Sequence, residues 1–303
     1  MRASVSKVVA AVLAGLVFAA GLLAADLRRD HDAAALVLQP VASKGASYDP
    51  GAWGDTIFVL AIGSDERPGL DGARGDALHV IGINPRLGRA TILNIPRDTW
   101  VEIPGHGQGR INEAYRYGGA QLQAETVRRL TGAPIMFTLT TTFEGVKAMV
   151  DRMGGLEVDI PFHMDDQNSG AAFTPGRQRL NGSQVLAFSR NRHIPDGDIR
   201  RSANQGQVLI HALEHVRRGG VSGTEVLKSL DVLYRNVRAD GVRPTDLYRI
   251  AKAAARIDPG QVRNYTIPVQ VGFRGAQSVV FVRQPAASVL FQDFADDGVL
   301  GIH

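Results

Sequence analysis

The chain has 303 residues, enough for one large domain or two small ones, and its 44% hydrophobic and 21% charged residues are those of a globular protein. It has no cysteine, which excludes thiol catalysis, disulfide staples and thiolate metal sites. The net charge is only +4, yet just five of the 34 basic residues are lysine. The basic residues are thus mostly arginine, whose planar fork of donors grips phosphate at two points, although GC-rich coding gives the same excess and only the placement of particular arginines carries a functional reading.

Val8 to Ala25 is an unbroken run of 18 apolar and small residues, preceded by Arg2 and Lys7 and followed by Asp26, Arg28 and Arg29. As a helix it extends about 27 Å, close to the thickness of a bilayer's hydrocarbon core. The basic start favours a cytoplasmic N-terminus and an exported remainder. A retained single-pass anchor is the preferred reading and a cleavable signal peptide the rival; both export the protein. Residues 1–25 are therefore expected as a stub and transmembrane anchor, and residues 26–54, with Pro40, Gly45, Pro50 and Gly51, as an extracytoplasmic linker.

Residues 55–303 form the third segment, in which strand and helix patterns alternate. Thr56–Ile62 is a short β-branched run, apolar throughout, which suits a strand buried on both faces. Ala77–Asn84 and Arg89–Ile95 flank the turn Pro85–Gly88 and predict a hairpin. Helices are predicted over 120–130 and 142–153, with strands over 135–140 and 156–160. Further helices follow at 181–188, 198–218, 223–236 and 244–257. A strand over 262–269 and a helix over 286–294 close the chain. The expected fold is a three-layer α/β/α sandwich with a mixed central sheet, preceded by the transmembrane helix.

Three motifs carry candidate chemistry. Gly63–Gly69 (GSDERPG) follows the first strand and puts Asp65 near a second acid, Asp76, which comes after Arg74. Two carboxylates on adjacent loop ends can share a hard cation such as Mg²⁺, although aspartates in such loops also serve simply to cap turns. Asn94–Thr99 (NIPRDT) sets Arg97 beside the strand-ending Pro96. In Ser189–His193 (SRNRH), an extended backbone would place Arg190 and Arg192 on one face. Asp198, Arg201 and Gln205 then share one face of a helix that turns apolar beyond them, a pattern that equally suits a solvated helix start. The set suggests a grip on a polyanion such as pyrophosphate. No HExxH, GxSxG or Walker A motif occurs, which argues against zinc hydrolase, serine hydrolase and P-loop chemistry.

From about Thr56 to Leu213 the ordered pieces GSDERPG, Arg74–Asp76, GINP, NIPRDTW, RINEAYRYGG, LTG, FEGV, MGGLEVDIP, GRQRLNGSQVLAFSRNRH and the Asp198–Arg201–Gln205 set are joined in one chain. In this order the sequence resembles the LytR-CpsA-Psr family of bacterial cell-wall glycopolymer ligases. The resemblance implies a membrane-anchored phosphotransferase that moves a glycopolymer phosphate from a polyprenyl-diphosphate carrier to peptidoglycan or a related wall polymer. It implies that Asp65 and Asp76 associate with Mg²⁺, with Mn²⁺ as a substitute. Arg74, Arg97, Arg190, Arg192, Arg201 and Gln205 would bind pyrophosphate. Of these, Arg97, Arg190, Arg192 and Arg201 would also be catalytic, with Asp198 supporting them. The proton acceptor is left between Asp98 and Asp198. Three departures touch the motifs: Gly75-Asp76-Ala77 replaces the usual Ser-Asp-Thr, Arg110 stands for a lysine, and the helix motif reads Asn204-Gln205-Gly206 where the family usually has Arg-Gln-Gln. A polyprenyl pyrophosphatase and a non-catalytic lipid-binding scaffold are the alternatives. Nucleic acid is not an expected partner, because the basic pI has no recognition motif to accompany it.

Overall fold

The apolar run that opens the third segment is the central strand of a seven-stranded mixed sheet. In this computed structural model the described residues are 36–41, 56–65, 72–191, 197–218, 237–240 and 256–301, with single positions between 242 and 254. The sheet strands are β1 (Leu36–Pro40), β2 (Ile57–Ser64), β3 (Gly75–Asn84), β4 (Arg89–Ile95), β7 (Phe137–Thr142), β12 (Val237–Ala239) and β13 (Val262–Thr266), while β5 (Trp100–Ile103) with β6 (Gly107–Arg110) and β9 (Met164–Asp166) with β10 (Ala171–Phe173) form small antiparallel pairs outside it. Their order is β12-β1-β7-β2-β3-β4-β13. β2, β3 and β4 run antiparallel in sequence, as the hairpin turn requires, while β7 joins β2 and β13 joins β4 in parallel.

Both faces of β2 are buried, which is why its sequence does not alternate. Phe58, Leu60 and Ile62 point into a core shared with α1 (Glu113–Thr131) and α5 (Ala286–Asp297), through Ala124, Val127, Phe291 and Phe294. Phe58 and Phe294 meet edge to face at 5.5 Å. Ile57 and Val59 point the other way, into a second core with Ile257, Ala253 and Leu213, the last from α4 (Gly197–Arg218). Gly82 of β3 lets the chain after α5 close on the sheet: a Cβ there would lie 2.6 Å from the Gly298 Cα. A third cluster joins α2 (Phe143–Arg152) and α3 (Gly182–Arg190) to β8 (Leu156–Ile160) and β11 (Gly176–Leu180). Here the expected helix starts are sharply capped. Thr142 accepts from the Gly145 amide, and Asn181 with Gln184 forms a reciprocal capping box.

Several expectations need correction. Leu36–Pro40 lies inside the segment read as a linker but forms β1, pairing with β7 and β12. A five-residue strand that ends on proline gives too short a pattern to separate from a tether. The strand expected over 262–269 breaks at Pro268, which has no N–H for a ladder, and becomes β13 and a separate hairpin, β14 (Val269–Arg274) with β15 (Gln277–Val282). α1 begins earlier than expected and kinks at Gly118 and Gly119. The helix expected over 223–236 and most of that over 244–257 lie outside the described residues, as does the apolar run 8–25. Among the described residues no helix is long and apolar enough to cross a membrane.

Candidate functional site

Strand register gathers the motifs at one end of the sheet. Ser64 pairs with Gly75 and Thr142, Leu78 pairs with Ile95, and Asn94 pairs with Thr266. The C-terminal ends of β2, β4, β7 and β13 and the start of β3 therefore face the same way, and ligands of α/β sheets commonly bind at such ends. Asp65 follows β2 directly; its Oδ1 accepts from the Arg74 amide at 2.7 Å, and its own amide donates to the Arg74 carbonyl. Asp76 is the second residue of β3. Arg97 and Asp98 sit in the turn after β4, which is closed by the Thr99 amide and hydroxyl donating to the Pro96 carbonyl.

Arg97 is the hub. Its Nη1 lies 2.8 Å from Asp76 Oδ1, and its Nε lies 3.6 Å from Asp98 and 3.8 Å from Asp198. Burial works against its charge, but Asp76, Asp98 and Asp198 outweigh that cost and raise its pKa further above the ordinary value. Asp198 also binds Arg201 at 2.6 Å, while Asp98 binds Arg110 at 3.4 Å. Asn112 donates to Asp76 at 3.4 Å. Gln205, one turn beyond Arg201 on α4, donates to the Ser189 carbonyl, and its Oε1 is buried without a hydrogen-bond partner among the described residues.

The predicted residues thus divide. Asp76, Arg97, Asp198 and Arg201 form one ion-paired group, with Asp65 and Arg74 beside it on the neighbouring strand end and Gln205 on the same helix as Asp198. Arg190 departs from the extended-strand reading. It is the last residue of α3, which the Asn181–Gln184 capping box starts and apolar spacing carries onward, and its guanidinium lies 5.4 Å over the Phe143 ring. Among the described residues it makes no ion pair with the Arg97 group. Arg192 lies outside the described residues. Arg110 and Asn112 were missed as site residues, although both belong to the quoted RINEAYRYGG piece.

Asp65 and Asp76 fit the expected cation by chemistry: two carboxylates on adjacent strand ends offer hard oxygen donors. Among the described residues no three His, Asp or Glu side chains cluster to hold a metal unaided. An ion there would complete its shell with water and substrate oxygens, as Mg²⁺ commonly does.

Behind the ion pairs runs a buried polar chain. His79 Nδ1 lies 2.7 Å from Asn94 Oδ1, Asn94 Nδ2 donates to Asn264 Oδ1 at 2.6 Å, and Asn264 Nδ2 donates to the Ala203 carbonyl at 2.8 Å. Three strands are thereby tied to the turn of α4 between Arg201 and Gln205. Burial lowers the His79 pKa to about 4 from the ordinary 6.5; the Asn94 bond opposes this and Arg201 adds to it. The unfolded chain therefore takes up a proton at residue 79 over a range where the folded chain refuses it. Stability from this group is complete above pH 6.5 and is lost as pH falls toward 4, by about 3 kcal/mol in all. Denaturant midpoints at pH 7 and 4.5 should converge in His79→Gln relative to the parent chain. An equal acid loss in both would refute the assignment.

A mixed α/β fold with an acid–arginine group at one sheet end defines the class of protein: an α/β domain whose charged motifs gather beyond the C-terminal ends of its strands. The chain belongs to the LytR-CpsA-Psr family, whose model, described as the LytR_cpsA_psr family, matches residues 33–295. Among curated relatives, the polyisoprenyl-teichoic acid–peptidoglycan teichoic acid transferase TagU of Bacillus mycoides is 36% identical over 181 residues, 59% of this chain and 57% of TagU. The Bacillus cereus TagU is 39% identical over 159 residues, 51% of each chain. The chain spans little more than half the length of the curated relatives it matches. Among solved structures, B. subtilis TagV superposes with a TM-score of 0.68 at 24% identity, covering 82% of this chain and 99% of TagV. TagT with bound octaprenyl pyrophosphate lipid gives 0.58 at 20% identity, covering 84% and 95%. At these identities the structural likeness establishes the fold alone.

Proposed function

We propose that the chain is a phosphotransferase that moves a glycopolymer phosphate from a polyprenyl-diphosphate carrier to peptidoglycan or a related wall polymer. It works as a single-pass membrane protein with its catalytic domain outside the cell and Mg²⁺ or Mn²⁺ at Asp65 and Asp76. One observation carries this reading: Arg97, clamped among Asp76, Asp98 and Asp198 and backed by Arg201, at the sheet end where the remaining motifs meet. The names of the TagU relatives and the lipid bound to TagT support the choice of substrate class. The family match supports the expected three-layer arrangement, with helices on both faces of the sheet.

In the proposed reaction an acceptor hydroxyl attacks the glycan-side phosphorus. A new P–O bond forms, the bond to the bridging oxygen breaks, and polyprenyl phosphate leaves. The hydroxyl proton passes to one of the carboxylates flanking Arg97. Such transfer needs mainly positioning and neutralisation of developing charge. Arg97, Arg201 and, on this reading, Arg74, Arg190 and Arg192 supply fixed positive charge, with Gln205 as a further polar contact. Asp65 and Asp76 would hold the cation, which would supply further neutralisation of the charge that develops during transfer.

A labelled polyprenyl-diphosphate-linked glycan, incubated with the full chain and peptidoglycan, should leave label in the polymer. Chelation should stop transfer, and added Mg²⁺ should restore it. Label released as free glycan phosphate at equal rates with and without peptidoglycan would point to hydrolysis and overturn the transfer reading.

A further inference from the structure

We infer that the β14–β15 hairpin is a second membrane contact, an element that binds an anionic bilayer surface and holds the acid–arginine site against it. The inference rests on the proposed membrane anchoring. Val271 and Phe273 stand two apart on β14, on one face, and are 62% and 70% exposed. Between them Gly272 has no side chain, and a Cβ there would come 2.8 Å from the Phe281 ring. Phe281 therefore lies across the other face, where the Arg274 guanidinium sits 5.0 Å above it. The hairpin thus presents an apolar pair on one side and a braced arginine on the other.

The surrounding charge suits lipid headgroups. From Pro259 to Gln292 the chain has no acidic residue but contains Arg263, Arg274 and Arg283, all exposed. Basic residues beside apolar ones that enter the interface are what an anionic leaflet attracts.

Register supplies the geometry. Leu36, eleven residues after the end of the apolar run 8–25, pairs with Thr141, which pairs in turn with Gly63. The chain therefore enters the domain at the site end of the sheet. β13 ends at the same end, at Thr266 opposite Asn94, and leads into the hairpin. Entry point and hairpin flank the site, five strand spacings or about 24 Å apart. β15 is also fastened to the site turn, where the Val280 amide donates to the Asp98 carbonyl at 2.9 Å. One tether leaves the domain free to turn; two contacts on either side fix which end faces the lipid.

The chain has no native cysteine, so single thiols can be placed in the full-length protein. A nitroxide at Ala276→Cys, on the hairpin tip, is compared with one at Leu87→Cys, in the β3–β4 turn at the opposite end of the sheet. Each is reconstituted in vesicles of phosphatidylcholine with or without phosphatidylglycerol. The tip label should favour oxygen over a water-soluble nickel chelate in the anionic vesicles, and Phe273→Ser should abolish this; the Leu87 label should stay aqueous. Val271→Ser/Phe273→Ser should also slow transfer from vesicle-embedded donor about tenfold, with no change on detergent-solubilised donor. A chain that pellets with vesicles while its tip label stays aqueous overturns the hairpin contact alone. A label shielded only when peptidoglycan is added assigns the face to the wall polymer and also overturns it. A chain that fails to pellet removes the anchoring reading and this inference together.

Discussion

Arg97→Ala is expected to lower transfer by about a hundred- to a thousandfold, the usual cost of removing one fixed donor from a charge-stabilising site. This guanidinium touches Asp76 of β3, Asp98 of its own turn and Asp198 of α4, so it is where the two halves of the site meet. Its loss removes a donor and also leaves three carboxylates facing one another without their shared counter-charge. Arg97→Lys should recover little, because a point charge cannot reproduce contacts made from both Nη1 and Nε. Turnover of the labelled lipid-linked donor is measured alongside circular dichroism and melting of each variant. A folded Arg97→Ala chain that transfers normally would remove Arg97 from the catalytic group.

That hub was legible only in part. NIPRDT placed Arg97 at a strand end, and the Asp198–Arg201–Gln205 spacing marked one face of α4, because both are local periodicities. Their meeting is not local: Asp198 lies a hundred residues from Arg97, and no spacing rule reports the contact. Arg190 shows the opposite failure. Its alternation with Arg192 looked extended, but the capping box at Asn181 and Gln184 starts a helix whose apolar spacing carries through Arg190. β1 was lost because five residues ending in proline resemble a tether, and its strand character comes from pairing with β7 and β12. The strands that alternate or run apolar over seven residues or more, β2 to β4, were legible because burial on both faces writes itself into composition.

Gly206 is the second position where a small change should have a large effect. It is one of the three departures from the family motif, a glycine where the family usually has glutamine. Packing supplies a reason for it. A Cβ at 206 would overlap the Asn264 carboxamide oxygen and come 2.6 Å from Asn94 Oδ1. Asn264 occupies that space to link Asn94 with the Ala203 carbonyl, so glycine on the helix and asparagine on β13 belong together. Glycine to alanine inside a helix ordinarily stabilises by about 0.5–1 kcal/mol. Here Gly206→Ala should destabilise by about 2 kcal/mol, because it displaces Asn264 and orphans buried amides. Gly206→Ala/Asn264→Ala should lose less than the two single changes added together, since the second change removes the nearer of the two crowding groups while Asn94 Oδ1 still presses on the added methyl. Urea midpoints of the two single variants and the double variant close the cycle. Additive losses would mean that the two positions do not share space, and that Gly206 has some other cause. Because Ala203 lies between Arg201 and Gln205, transfer by folded Gly206→Ala should also fall, and the double variant should not regain the rate: the amide that holds this turn of α4 to the sheet is gone.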